Sequence, residues 1–305
     1  MVESNAKRRG KAAALSGEAR AALAAAAAVS GAGFASGREM VLFFAQLGWA
    51  GWIGVFVASA AFAALIGAVC GQARRIGADD LPRLYWRRLG PAAGAVAGAM
   101  HALLMAMIAV MMLANAGRIG ALTLPLRYGF LWGAALSLMI ALLVNLGRLR
   151  ALPWMGLLAA ALGAAFYAGL AVDPRPVRVY LRGETALALR GSLPTALALA
   201  LLFAALNGAV AGGAAARFSG RARPARTAAL SGGLMCGMLL CAVAAIARGG
   251  DRLLGQAMPT VILAARWGKA GFWLCAGFSF LCATATLSAA IASLPRLSGL
   301  RHARE

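Results

Sequence analysis

The sequence predicts an all-α, polytopic helical membrane bundle of about eight spans. Of its 305 residues, 62% are hydrophobic and only 13% are charged, and the mean hydropathy is +0.79. An ordinary soluble domain is nearer 45–50% apolar and 25% charged, so this chain carries more apolar surface than a water-facing fold can hide. Stretches of roughly 20 mostly apolar residues, long enough to cross hydrocarbon, recur along the whole chain.

Taken in order, the apolar segments cover about 20–45, 50–72, 92–117, 129–147, 151–172, 192–216, 227–247 and 271–294. Connectors rich in arginine or containing proline separate them. Residues 1–19 read as a basic tail, 20–294 as one transmembrane domain and 295–305 as a second tail. Lys7-Arg8-Arg9 before an alanine-rich run imitates a signal peptide. More membrane follows it, so the first helix is expected to be retained. A shorter apolar piece, Leu253–Ala265, contains Pro259 and is too short to span; it reads as an interfacial or re-entrant helix.

The formal charge of +21 would suggest nucleic acid in a soluble protein. Here the basic residues sit between apolar segments, where they set orientation, and no nucleic-acid partner is expected. Counted by connector, one side carries nineteen Lys and Arg and the other ten, with Arg38 inside the first segment. The positive-inside rule then puts both termini in the cytoplasm of a multi-pass protein of the cell membrane. Cys70, Cys236, Cys241, Cys275 and Cys282 all fall in apolar segments and lack CxxC spacing. Nothing in the spans groups Ser/His/Asp, HExxH or paired acids, so no enzyme and no resident cofactor are expected.

The first segment is interrupted by Ser30-Gly31-Ala32-Gly33-Phe34-Ala35-Ser36-Gly37-Arg38-Glu39. Each glycine costs a helix roughly 1 kcal/mol relative to alanine. An irregular backbone in a membrane is tolerated only where protein or a watery cavity satisfies its polar groups. Glu39 is the only carboxylate inside any proposed span, and ionisable groups there are expensive and usually functional or paired. The stretch therefore reads as a binding or gating site, against a packing motif through Gly33-x-x-x-Gly37 or a structural salt bridge. The sixth segment carries a second glycine cluster, Asn207-Gly208-Ala209-Val210-Ala211-Gly212-Gly213. It fits either a second break or close packing through Gly208-x-x-x-Gly212. Gly94-x-x-x-Gly98 reads as packing alone.

Gly31-Ala32-Gly33-Phe34-Ala35-Ser36-Gly37-Arg38-Glu39 resembles the first-helix signature of the YkvI family of bacterial membrane proteins. That family is related to the amino acid–polyamine–organocation transporters with the LeuT-like fold. The strong motif covers about nine residues, and members usually carry a Gln-Glu pair where this chain has Arg38-Glu39. The resemblance implies two inverted repeats, here about 20–172 and an incomplete 192–294, with broken first and sixth helices. The ten-helix fold would continue beyond Pro295, whereas the chain stops at Glu305, leaving its last two helices apparently absent. Substrate would meet Ala32, Gly33, Phe34, Gly37 and Glu39 of the first helix and Asn207 and Gly208 of the sixth. A sodium ion, the one cofactor the resemblance suggests, would sit between Gly31 and hydroxyls of the eighth segment. Thr284 and Ser288 are four apart and share a helix face, although membrane hydroxyls also bond their own helix.

The remaining polar residues in the spans have plainer readings. His101, near the middle of the third segment, reads as a packing histidine ahead of a proton relay. Asn115 and Asn145 tie helices together, and Arg118 and Arg148 lie at span ends where long side chains snorkel. The expected function is a secondary transporter of a small polar solute, amino-acid-like or an organic ion, coupled to sodium or protons. The alternative is a non-transporting receptor or regulatory protein with a transporter-like pocket. The lipid bilayer is the remaining expected partner, and oligomeric state is not legible.

Overall fold

The computed structural model describes residues 15–124, 127–147, 149–175, 191–253, 256 and 258–294. The two tails, Arg148 and most of the basic connector after residue 175 lie outside the described residues. Among the described residues all regular structure is helical. The helices are α1 (Gly17–Val29), α2 (Ala32–Ser36), α3 (Arg38–Phe43), α4 (Trp49–Ile76), α5 (Leu81–Thr123), α6 (Gly129–Leu146), α7 (Leu152–Val172), α8 (Leu193–Ala216), α9 (Pro224–Ala247), α10 (Pro259–Ala264) and α11 (Gly268–Ser293).

Among the described residues, seven stretches are long and apolar enough to cross a membrane: α4 to α9, and the run Pro259–Ser293 that joins α10 to α11. The chain is thus a multi-pass membrane protein. Large apolar side chains such as Met100, Leu103, Val110, Leu131 and Leu143 face outward, the surface that lipid solvates. The eighth predicted span is the first, and it falls short as a helix because it is broken into α1, α2 and α3.

Alanine explains where α1 sits. Ala21 to Val29 are all buried, and α1 contacts α7, α8, α9 and α11, so it runs through the centre of the bundle. Small side chains on every face let neighbours approach closely. At the tightest contact, a Cβ on Gly156 of α7 would lie 1.9 Å from the Leu23 carbonyl oxygen.

Local chemistry sets the helix ends. Ser16, Asp80 and Ser192 cap α1, α5 and α8 by accepting from the N–H groups of Ala19, Arg83 and Thr195. Within α5, Gly90 (φ +79°) ends a first helical stretch and Pro91 opens the next. The stretch before Gly90 folds back on the span, which is why Gly94 abuts Trp86 and Gly98 abuts Pro82. The Gly94–Gly98 pattern serves packing, as read, within one element.

The two ends of the bundle are chemically distinct. At one end, Glu18 accepts from the Arg223 amide, Arg74 donates to the Ala222 carbonyl and Arg217 to the Leu294 carbonyl. At the other, arginines cover the carbonyls that the end of α7 leaves unpaired. Arg266 donates to the Leu170 and Asp173 carbonyls, and Arg248 to that of Asp173. Asp173 is 6% exposed, and its side chain accepts from the Arg175 amide and the Trp267 indole. The Arg175 amide, ahead of the indole and the Arg175 and Arg266 charges, holds the Asp173 carboxyl below its usual range.

One expectation is corrected. The sixth span is not broken: α8 runs as continuous helix from Leu193 through Asn207–Gly213 to Ala216. Its glycines are points of close approach. A Cβ on Gly208 would lie 2.8 Å from Leu65, one on Gly212 3.5 Å from Leu81 and Val69, and one on Gly213 2.4 Å from Ser293 Oγ. Packing against α4, α5 and α11 is what this cluster serves.

Candidate binding site at the broken first helix

The break in the first span is real and its glycines divide the work. After Val29 the helix stops, restarts at Ala32, stops again at Ser36 and restarts at Arg38. Gly37 sits at φ +76°, a left-handed conformation that costs any side-chain-bearing residue. Gly33 is needed for space instead. The Glu39 side chain folds back over it, so that a Cβ there would lie 1.9 Å from Glu39 Oε1.

The carbonyls released by the break are claimed by the protein. The Gly33 oxygen accepts from Ser36 Oγ at 3.2 Å, the Phe34 oxygen from the Tyr167 hydroxyl and the Ala35 oxygen from Thr260 Oγ1 at 2.8 Å. Tyr167 is fully buried and stands edge-on to the Phe34 ring at 5.5 Å. Thr260 comes from α10, so the short helix predicted around Pro259 props the unwound segment. The break is thereby held open as a built feature, with these three oxygens satisfied.

Beside it lies a cavity of about 130 Å³, room for on the order of four waters at liquid density. Gly31, Gly33, Phe34 and Glu39 line it from the first span, Ile108, Met111 and Met112 from α5, Asn207 and Val210 from α8, and Thr286 from α11. Glu39 is partly buried, and Arg38 next to it is exposed. Among the described residues the ion pairs are Arg83–Asp79 and Arg175–Asp173, so Glu39 has no basic partner there. Asn207 Nδ2 donates to its own helix at the Phe203 oxygen, 3.0 Å away. The cavity therefore presents one carboxyl, one amide and one hydroxyl in an otherwise apolar wall. Such a wall suits a small solute with one cationic group and a compact apolar remainder.

Of the residues expected at the site, Gly33, Phe34, Glu39 and Asn207 come together here. Gly37 does not; it lies against Thr260, Ile246 and Pro259. Gly208 turns to Leu65, and the Ala32 side chain lies outside the described features. The Phe34 oxygen, expected to face a ligand, is occupied by Tyr167.

The sodium expectation needs the same redrawing. Gly31 adjoins Thr286, whose Oγ1 would lie 3.3 Å from a Cβ there and which donates to the Ala27 oxygen at 3.0 Å. Thr284 instead meets Ser137 at 3.0 Å, and Ser288 donates to the Thr284 oxygen at 2.7 Å. Two residues along a helix are about 200° apart around its axis, so the face shared by Thr284 and Ser288 is turned from the first span. The structure does not assemble Gly31, Thr284 and Ser288 into one cage. Among the described residues no group of three or more His, Cys, Asp or Glu stands ready for a metal.

Met111, Met112 and Val210 carry no polar signal, and only the folded arrangement picks them out. His101 is buried, edge-on to Tyr85 at 6.1 Å and not among the residues that line the cavity. The chain matches no family model, no curated protein and no solved structure.

Proposed function

We propose that the protein is a secondary transporter of a small polar solute bearing a cationic group, bound between the broken first span, α5 and α8 with Glu39 as counter-charge. The observation that carries this is the carboxyl of Glu39 in a small, mostly apolar cavity at a helix break, without a basic partner among the described residues. A carboxylate at that depth is expensive unless a cation or a proton accompanies it. That either can do so is what a coupled carrier requires. The separation of Thr284 and Ser288 from Gly31 favours protons over sodium as the coupling ion.

The resemblance of the Gly31–Glu39 segment to the YkvI family, and through it to LeuT-like carriers with inverted repeats, supports the same reading. The unbroken α8 is a departure from that pattern. By the positive-inside rule the end holding Glu18, Arg74 and Arg223 faces the cytoplasm of the cell membrane, with both termini there. Lipid and solute are the proposed partners, with no enzymatic step and no nucleic acid.

Uptake into proteoliposomes tests this. Small radiolabelled amines and amino acids should accumulate when a proton gradient is imposed and stop when it is collapsed. A sodium gradient alone should give no uptake. Saturable binding with no flux under either gradient would instead favour a receptor that retains the pocket.

A further inference from the structure

At the end of the bundle that holds Arg74 and Arg223, a groove of about 530 Å³ opens between α4 and the start of α9. Its floor is the close approach of the two helices. A Cβ on Gly67 would come within 2.9 Å of Ala228 Cβ, and one on Gly71 within 3.6 Å of the Pro224 ring. Small residues on α4 therefore leave a shallow apolar slot beside this contact. Arg74, Arg75 and Gln72 line the same groove, and among the described residues no acidic one does. Both arginines are exposed. Arg74 is held in place by its bond to the Ala222 carbonyl at 3.3 Å, and Gln72 accepts from Arg88. Gly67 and Arg74 are seven residues apart, about 10 Å along the helix axis. The groove thus runs from a cationic mouth at the helix end into the stretch of α4 that hydrocarbon surrounds.

We propose that this groove binds an anionic phospholipid, with its phosphate at Arg74 and Arg75 and the upper part of an acyl chain along Gly67, Ala68 and Gly71. Charge complementarity selects the occupant. A zwitterionic headgroup brings a cation of its own to a mouth lined, among the described residues, by arginines and no carboxylate, and a free phosphate leaves the apolar slot unfilled. Basic pockets between spans at a leaflet surface recognise anionic headgroups in this way. The site is separate from the Glu39 cavity and stands whether or not that cavity transports.

The test measures lipid selectivity of the purified protein in phosphatidylcholine vesicles doped with spin-labelled phosphatidylglycerol or spin-labelled phosphatidylcholine. The protein should hold the anionic label preferentially, and the preference should fall by about fivefold for each arginine replaced in Arg74→Gln and Arg75→Gln. Ala68→Trp, at an exposed wall position, fills the slot without touching either arginine and should abolish the preference as well. Full preference in the double arginine variant would overturn the proposal. So would full preference in the tryptophan variant, which would reduce the effect to surface charge. Displacement of the label by inorganic phosphate would mean a phosphate site instead.

Discussion

Glu39 and Gly33 form a pair whose members have no separate explanation. The glycine exists at that position because the carboxyl lies across it, and the carboxyl reaches the cavity because the glycine leaves room. Replacing Glu39 by Gln keeps the shape and removes the charge. Loss of one member of a largely buried charge pair costs about 3–5 kcal/mol, so on the proposed function uptake of a cationic solute should fall about 100-fold or more. Gly33→Ala should cause a comparable loss with the carboxylate intact, since its Cβ and Glu39 Oε1 would be 1.9 Å apart. Because both changes strike one interaction, the double variant should be no worse than either single one. Uptake assays on the four proteins check this, and additive losses would separate the two residues' roles.

At the scale of elements, the two glycine clusters look alike in the sequence and do different things in the fold. Gly37 holds φ +76° beside Thr260 and Ile246, so Gly37→Ala should cost about 1–2 kcal/mol in backbone strain alone. Gly208 lies in regular helix and faces the tip of Leu65. There alanine regains up to roughly 1 kcal/mol of helix propensity while Leu65 shifts, and the change should be near neutral. Thermal unfolding midpoints in detergent decide it, and equal destabilisation would restore a break to α8. This contrast marks how far the sequence could be read. Hydropathy and connectors placed the spans within a few residues, and the carboxylate at position 39 singled out the first break. Nothing comparable distinguished Asn207–Gly213 as packing, because whether a glycine unwinds a helix or admits a neighbour depends on Leu65, Ser293 and His101, far away in the chain. Likewise the i, i+4 rule grouped Thr284 with Ser288 correctly, but which face of α11 meets the first span is set by the rotation of the whole helix.

For the molecule as a whole, the decisive quantity is how many times the chain crosses the membrane. The seven long apolar stretches among the described residues would alone leave the chain entering and leaving the membrane on opposite sides. Counting the broken first span as a crossing makes eight, and the contacts at the two ends of the bundle support that count. Glu18 at the start of α1, Ala222 before α9 and Leu294 after α11 all meet partners at one end, while Asp173, Arg248 and Trp267 gather at the other. The proposed orientation, drawn from the excess of Lys and Arg, puts the first end in the cytoplasm. Cysteine labelling in intact cells reads this directly, because the native cysteines lie within the spans, where Cys70, Cys275 and Cys282 are buried and Cys236 and Cys241 partly so. Gly220, exposed with open space around it, marks the end proposed to be cytoplasmic, and exposed Lys269 at the start of α11 marks the other. A membrane-impermeant maleimide should label Lys269→Cys in intact cells and Gly220→Cys only after permeabilisation. The reverse pattern would invert the protein in the membrane, and labelling of both from outside would mean that the span between them does not cross.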